Sequence, residues 1–180
     1  VVVMPAGNGL DGYDCSQNNE YVPVGCLNPV FDSRIIVVTS SSIDDTHQFF
    51  VDGVDRTHSH FSEVDLCAPG YEVAVMKGCP DEGEWPYWGG ARGTSFSSPL
   101  VAGCASLILS IDPCLEAGDV ENILKSTTDP IVDAANYPGQ VGSGRVNIFQ
   151  ACSLAQGYGT VSLAQSVTCL LYISPSTRAL

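Results

Sequence analysis

The sequence predicts an α/β domain built on an open, mostly parallel sheet with helices on both faces. Three observations lead there. Short apolar, β-branched runs alternate with helical stretches along the chain. Residues 34–39, Arg34-Ile35-Ile36-Val37-Val38-Thr39, are apolar without the alternation of a half-exposed strand, as parallel strands covered on both faces are. Residues 96–110 carry Ala102, Ala105, Leu107, Ile108 and Leu109 around most of a helical circumference, the pattern of a buried helix.

Residues 1–4 read as a strand that stops at the tight turn Pro5-Ala6-Gly7-Asn8-Gly9. Residues 11–29 are polar, hold Cys15 and Cys26, and read as a surface loop; residues 34–39 are the second strand. Val64-Asp65-Leu66-Cys67 and residues 71–76 form shorter strands around the turn Ala68-Pro69-Gly70. Residues 77–91 are a Gly-, Pro- and acid-rich loop leading to the long helix. An amphipathic helix over residues 115–126 follows, with Val120, Ile123 and Leu124 on one side. Gly142-Ser143-Gly144 leads into Val146-Asn147 and a short helix over residues 148–155. The expected organisation is one domain over residues 1–155, with residues 156–180 a tail or the start of a linker or further domain.

Seven Lys and Arg against 20 Asp and Glu leave a net charge of −13, which argues against nucleic acid or an anionic membrane as partner. The apolar run of residues 101–111 falls short of the about 18 residues of a membrane span, so none is expected. Eight cysteines in an acidic chain point to secretion. Cys15 with Cys26, and Cys67 with Cys79, are the expected disulfides, and Cys104 an inert core thiol. No C-x-x-C pair occurs and the histidines are not spaced with the cysteines, so no metal ligands are assigned. The chain opens on a strand with neither a basic leader region nor a cleavage pattern, so it is expected to be a fragment.

The strongest chemical signal is Gly93-Thr94-Ser95-Phe96-Ser97-Ser98-Pro99-Leu100-Val101-Ala102-Gly103. A glycine-flanked turn delivers Ser95 to the first position of the long helix, where the dipole and free N–H groups favour developing negative charge. Pro99 is expected in the first turn, where its missing donor costs nothing, and Gly103 at a close contact with the sheet. The plain alternative for Ser95 is a helix N-cap.

The whole string resembles the nucleophile signature of the subtilisin-like serine peptidases. Further stretches match that family in order: Val1-Val2-Val3-Met4-Pro5-Ala6-Gly7-Asn8, Asp65-Leu66-Cys67-Ala68-Pro69-Gly70 and Gly142-Ser143-Gly144-Arg145-Val146-Asn147. The resemblance implies a subtilisin-like three-layer fold, of which this chain would be the C-terminal half. It implies that Ser95 is the nucleophile, that Asn8 donates to the oxyanion, and that Pro5, Ala6 and Gly7 line the primary specificity pocket. It also places the catalytic Asp and His upstream of Val1, because His47, His58 and His60 all follow the asparagine strand outside the family's His-Gly-Thr setting. His58 and His60 read as a strand edge. Phe96 and Ser97 stand where the family commonly has methionine and alanine.

Asn8 alone would be a turn residue; with Ser95 downstream it is a candidate oxyanion donor. Asp81, Glu82 and Glu84 read as a solvated acidic loop, with a structural Ca2+ as the alternative. Trp85, Tyr87 and Trp88 cover the site or pack the loop. The expected function is serine endopeptidase chemistry on a polypeptide substrate, with no cofactor needed and with the N-terminal half of the catalytic domain as partner. The rival is a catalytically silent binding module on the same fold. An esterase-type Gly-x-Ser-x-Gly elbow would need a second glycine where Ser97 stands.

Overall fold

Residues 1–9, 35–76 and 87–162 are described by a computed structural model. The chain runs β1 (Val2–Pro5), β2 (Ile35–Ser41), β3 (Phe49–Val51), β4 (Val54–Arg56), β5 (Leu66–Pro69), β6 (Val73–Met76) and β7 (Tyr87–Ala91). Helices α1 (Thr94–Ile111), α2 (Ala117–Ser126) and α3 (Ile148–Ser162) follow, with a 3-10 turn Ala134–Asn136 between the last two.

β1, β2 and β5 form a parallel sheet in the order β1-β2-β5, with Val2 opposite Ile35 and Val38 opposite Leu66. Because successive side chains of a strand point to opposite faces, β2 serves two cores at once. Ile36 and Val38 join Leu66, Ala68 and the buried faces of the three helices. Val37 points the other way, to Ala6, Phe61 and Val64. This is why the apolar run of β2 does not alternate. Each fully buried Ile, Leu or Val contributes about 1.5–3 kcal/mol through removal from water. All the described α-helices pack on one face; the other is covered by residues 57–64 and, under Cys67, by Ile131 and Val141.

α1 buries Val101, Ala105 and Ile108, one stripe at helical spacing, against β1, β2 and β5. Its opposite side is open, with Leu100 43% and Leu107 53% exposed. The expectation of a helix buried nearly all round is therefore corrected: among the described residues the sheet, α2 and α3 leave that side of the helix open. α1 has the length and apolar content of a membrane span, but that buried stripe marks it as the core helix of the sheet. A Cβ at Gly103 would meet nothing within 4 Å, so that glycine is not at a close contact. The helix begins at Thr94, which moves Pro99 past the first turn and leaves the Ser95 carbonyl without the amide that a non-proline residue would offer.

Two hairpins lie outside the elements that the sequence predicts. β3 and β4 pair around Asp52-Gly53, both with positive φ, as a two-residue primed turn requires. β7 pairs antiparallel with β6 inside the stretch expected to be loop. The Ala68-Pro69 pair lies within β5 rather than in a turn after it, and α3 continues past residue 155 to Ser162. Residues 57–60 are buried coil, not a strand edge.

The segment 142–147 lies along β5: Ser143 N–H donates to Asp65 O, Cys67 N–H to Gly144 O, and Val146 N–H to Cys67 O. Gly142, at φ 69°, leaves a Cβ no room, only 2.3 Å from the Asp65 carbonyl carbon. Cys67 is a free, buried thiol donating to Val141 O at 3.1 Å, so the Cys67–Cys79 disulfide is not formed; its side chain faces the core away from the helices. Burial pushes the thiol's pKa up. Cys104 is likewise free and half-buried, its pKa raised first by burial and then by Cys152 nearby. Cys15, Cys26, Cys79, the acidic residues Asp81, Glu82 and Glu84, and Trp85 lie outside the described residues, as does the Trp88 side chain.

Candidate active site

The site forms where the end of β1 meets the start of α1. The two are joined by α1's packing on β1 and by Ser98 Oγ donating to Val3 O at 3.2 Å. Ser97, buried beside it, donates to Ala68 O at 3.0 Å and lies within 3.2 Å of Pro69 O. These bonds tie the start of α1 to the Ala-Pro-Gly segment at the end of β5. Gly70 completes the contact, since a Cβ there would lie 2.2 Å from Ser97 Oγ and 2.7 Å from Ser40 Cβ.

Ser95 is exposed at the second position of α1, behind the N-cap Gly93, so it is not the cap residue. The first-turn amides divide unequally. Thr94 N–H donates to Asn8 Oδ1 at 2.8 Å, and Phe96 N–H to Gly93 O at 3.0 Å. The Ser95 N–H and hydroxyl have no acceptor among the described residues. A helix N-terminus thus presents an unpaired amide and an accessible hydroxyl on the same residue.

Asn8 is exposed, 86 positions away in sequence, and its amide orientation is set by Thr94. Asn8 Oδ1 accepts both the Thr94 N–H and the Thr94 hydroxyl, the latter at 3.1 Å. Since both partners donate, the oxygen must face them, and the Nδ2 hydrogens are directed away. Thr94 Oγ1 in turn accepts from Gly7 N–H at 3.1 Å. Gly93, at φ 137°, lets this happen: a Cβ would come within 3.1 Å of Asn8 Nδ2 and 3.2 Å of Oδ1. In the sequence Thr94 is only one position of a motif; its orienting role has no local signature, because the partner is on another element.

Of the expected pocket residues, Pro5 is exposed and Gly7 half-buried at φ 116°. Ala6 is fully buried among Val37, Phe61 and Val64, so only its backbone can face a substrate.

The three histidines form a buried group behind Asn8. His58 Nδ1 pairs with Ser40 Oγ, His47 Nδ1 donates to Ser40 O at 2.9 Å, and His47 Nε2 pairs with His60 Nδ1 at 3.1 Å. Tyr137 closes over His47 and His60 edge-on. Burial first, then the charge of His47, holds the His58 pKa down to about 4. Burial is also the main cause of the lowered pKa of His47. Between His58 and His60, Ser59 donates its N–H to Gly7 O at 3.1 Å and accepts the Gly9 N–H on its hydroxyl at 3.0 Å. The histidine segment therefore holds both flanks of Asn8. None of the three is hydrogen-bonded to Ser95. Among the described residues no group of three or more His, Cys, Asp and Glu is arranged to hold a metal.

The subtilase family model matches residues 1–159. Subtilisin DY of Bacillus licheniformis is 34% identical over 148 residues, which is 82% of this chain and 45% of that protein. The extracellular protease of Xanthomonas campestris pv. campestris is 30% identical over 158 residues, 86% of this chain and 23% of the relative. Among solved structures, the MycP3 protease from the type VII (ESX-3) secretion system superposes with a TM-score of 0.60 at 21% identity, covering 84% of this chain and 44% of its own. A protease from Pseudoalteromonas arctica gives 0.58 at 23% identity, with 86% and 42% covered. The chain spans less than half the length of the curated relatives it matches.

Proposed function

The chain belongs to the subtilase family, and we propose that the protein it is part of is a secreted serine endopeptidase with Ser95 as nucleophile. In this mechanism Ser95 Oγ attacks the carbonyl carbon of the scissile peptide bond while a base removes its proton. The carbonyl oxygen becomes an oxyanion that accepts from the Ser95 N–H and from Asn8 Nδ2. The proton passes to the leaving amine, the C–N bond breaks, and water then hydrolyses the acyl-serine by the same steps. The base and its orienting acid come from residues outside these 180, because the three histidines are buried in their own hydrogen-bond group. Pro5 and Gly7, with the Ala6 backbone, border the substrate.

The observation that supports this best is the double acceptance of Thr94 donors by Asn8 Oδ1, beside an unpaired Ser95 N–H. A turn asparagine has no need of an orienting partner across the fold. Secretion is supported by the acidic, cysteine-rich composition. The test is labelling by a fluorophosphonate probe, which reacts only with activated serines. The complete protein should be labelled at Ser95, with labelling abolished in Ser95→Ala and absent from the 180-residue chain alone. No labelling of the folded complete protein would move the assignment to a silent binding module.

A further inference from the structure

Among the described residues there are four Lys and Arg: Arg56, Arg92, Lys125 and Arg145. Lys125 pairs with Asp65 and Glu121, and Arg145 with Asp45 and Asp129. The other two, Arg56 and Arg92, have no carboxylate partner among the described residues, in a chain of net charge −13. Both line one recess of about 290 Å³, and Asn8 lines it too. Among the described residues no acidic one contributes to its wall, to which Phe49, Val51, Thr57 and His58 also belong.

The hairpin sorts the charges. On β4, Asp55 and Arg56 point to opposite sides, as neighbours on a strand must. Asp55 goes to a separate recess shared with Asp44, Glu72 and Asp133, while Arg56 goes to the one beside Asn8. Arg92 follows β7, two residues before Thr94, and its guanidinium lies over the Tyr71 ring, 5.4 Å from the centroid. Tyr71 stacks on Phe49 at 4.5 Å, and its hydroxyl donates to Phe50 O at 3.0 Å, so the ring that holds Arg92 is itself fixed. His58 adds no positive charge at neutral pH, because burial and His47 hold its pKa near 4. The recess thus combines two guanidiniums with an apolar floor, beside the candidate oxyanion donor. Guanidinium forks match carboxylate geometry, and Phe49 and Val51 can take up the methylenes behind it.

We propose that this recess is a substrate subsite that takes the side-chain carboxylate of a glutamate or aspartate close to the scissile bond, held by Arg56 and Arg92. This rests on the peptidase assignment above and names its substrate class: polypeptides with an acidic residue at one position flanking the cleavage point.

The experiment uses the complete protein and C-terminally amidated peptides that differ only by Glu or Gln at each position around the cleaved bond. At one position the Glu peptide should be cleaved with about tenfold higher kcat/KM, the scale of partly exposed charge pairs acting together. Arg56→Gln with Arg92→Gln should bring that ratio close to one, and Arg56→Glu with Arg92→Glu should turn it in favour of a matching Lys peptide. Both side chains reach solvent, and the charge-reversal variant gives a gain of preference that misfolding could not mimic. Equal cleavage of Glu and Gln peptides at every position, or a preference that survives the double substitution, overturns the proposal. Binding of the same peptides to Ser95→Ala, read by fluorescence anisotropy, separates the two assignments. Discrimination of Glu from Gln that needs the arginines, in a protein that cleaves nothing, keeps the subsite and removes the peptidase.

Discussion

Acidification from pH 7 to 4 should destabilise the protein through His58 in particular. The ring is buried against Ser40 Oγ and the Phe49 ring, 4.8 Å away, and its pKa is lowered from 6.5 to about 4, first by burial and then by His47. Above pH 6.5 the imidazole is neutral in both folded and unfolded states and contributes no pH dependence. As pH falls below 6.5 the unfolded chain binds a proton that the folded one refuses, so stability drops; below about 4 both are protonated and the loss levels off. At about 1.4 kcal/mol per pKa unit the full gap corresponds to about 3 kcal/mol, and screening of a ring near the surface reduces this to about 2. His47 acts in the same direction, with the Ser40 carbonyl and the Asp133 carboxylate as partial offsets.

The assay is urea unfolding of the complete protein at pH 7, 6, 5 and 4, in a Ser95→Ala background that prevents self-digestion. His58→Gln keeps a hydrogen-bonding side chain but cannot titrate. Wild-type stability should fall more steeply than the variant's between pH 6.5 and 4, by a total difference of about 2 kcal/mol. Parallel profiles would refute the reasoning, because carboxylate titration affects both proteins equally. A second consequence follows from Ser59, whose bonds to Gly7 and Gly9 flank Asn8. Activity should decline on acidification before the molecule unfolds globally, and less so in His58→Gln.

Asn8→Ala should lower kcat by about 10²–10³ with KM almost unchanged, the magnitude that an oxyanion-hole donor has in subtilisin. Thr94→Val, which keeps the backbone bond to Asn8 but removes the hydroxyl one, should lower kcat by about tenfold, again without a KM effect. Steady-state kinetics with one peptide checks both. Gly142→Ala forces a Cβ into the Asp65 backbone at positive φ and should cost more than about 3 kcal/mol or prevent folding. Gly103→Ala, with nothing within 4 Å, should instead stabilise by about 0.5–1 kcal/mol; thermal unfolding distinguishes the two signs. Lys125→Met leaves the Asp65 carboxylate, 9% exposed, with the Val37 amide but no cation, and should cost about 1–2 kcal/mol in denaturant unfolding, discounted because Lys125 is 38% exposed.

The parallel strands and the helices could be read in advance because their signals are local. β1, β2 and β5 are apolar over consecutive positions, and Val120, Ile123 and Leu124 repeat at helical spacing. Ser95 and Asn8 stood out as candidates because each sits in a string of residues with fixed spacing. β7 escaped because Tyr87-Trp88-Gly89-Gly90-Ala91 has no alternation and two residues of low strand preference; its pairing with β6 supplies what the segment lacks. The Asp52-Gly53 turn between Phe49-Phe50-Val51 and Val54 was legible in principle, since an Asp-Gly pair between apolar runs is a hairpin signal.

Backbone preference and side-chain period act over a few neighbouring residues, and they settle the elements, the turn glycines and the serine at a helix start from the chain's order alone. Folding settles which distant groups meet. Thr94 turns the Asn8 amide from 86 positions away, His47 reaches His60 across a hairpin, and Arg56 on β4 and Arg92 just after β7 line one recess. Folding also exposed one side of α1 and kept Cys67 reduced beneath Val141. Such encounters depend on chain topology and on which face of each element is buried, and no short stretch of sequence contains both partners.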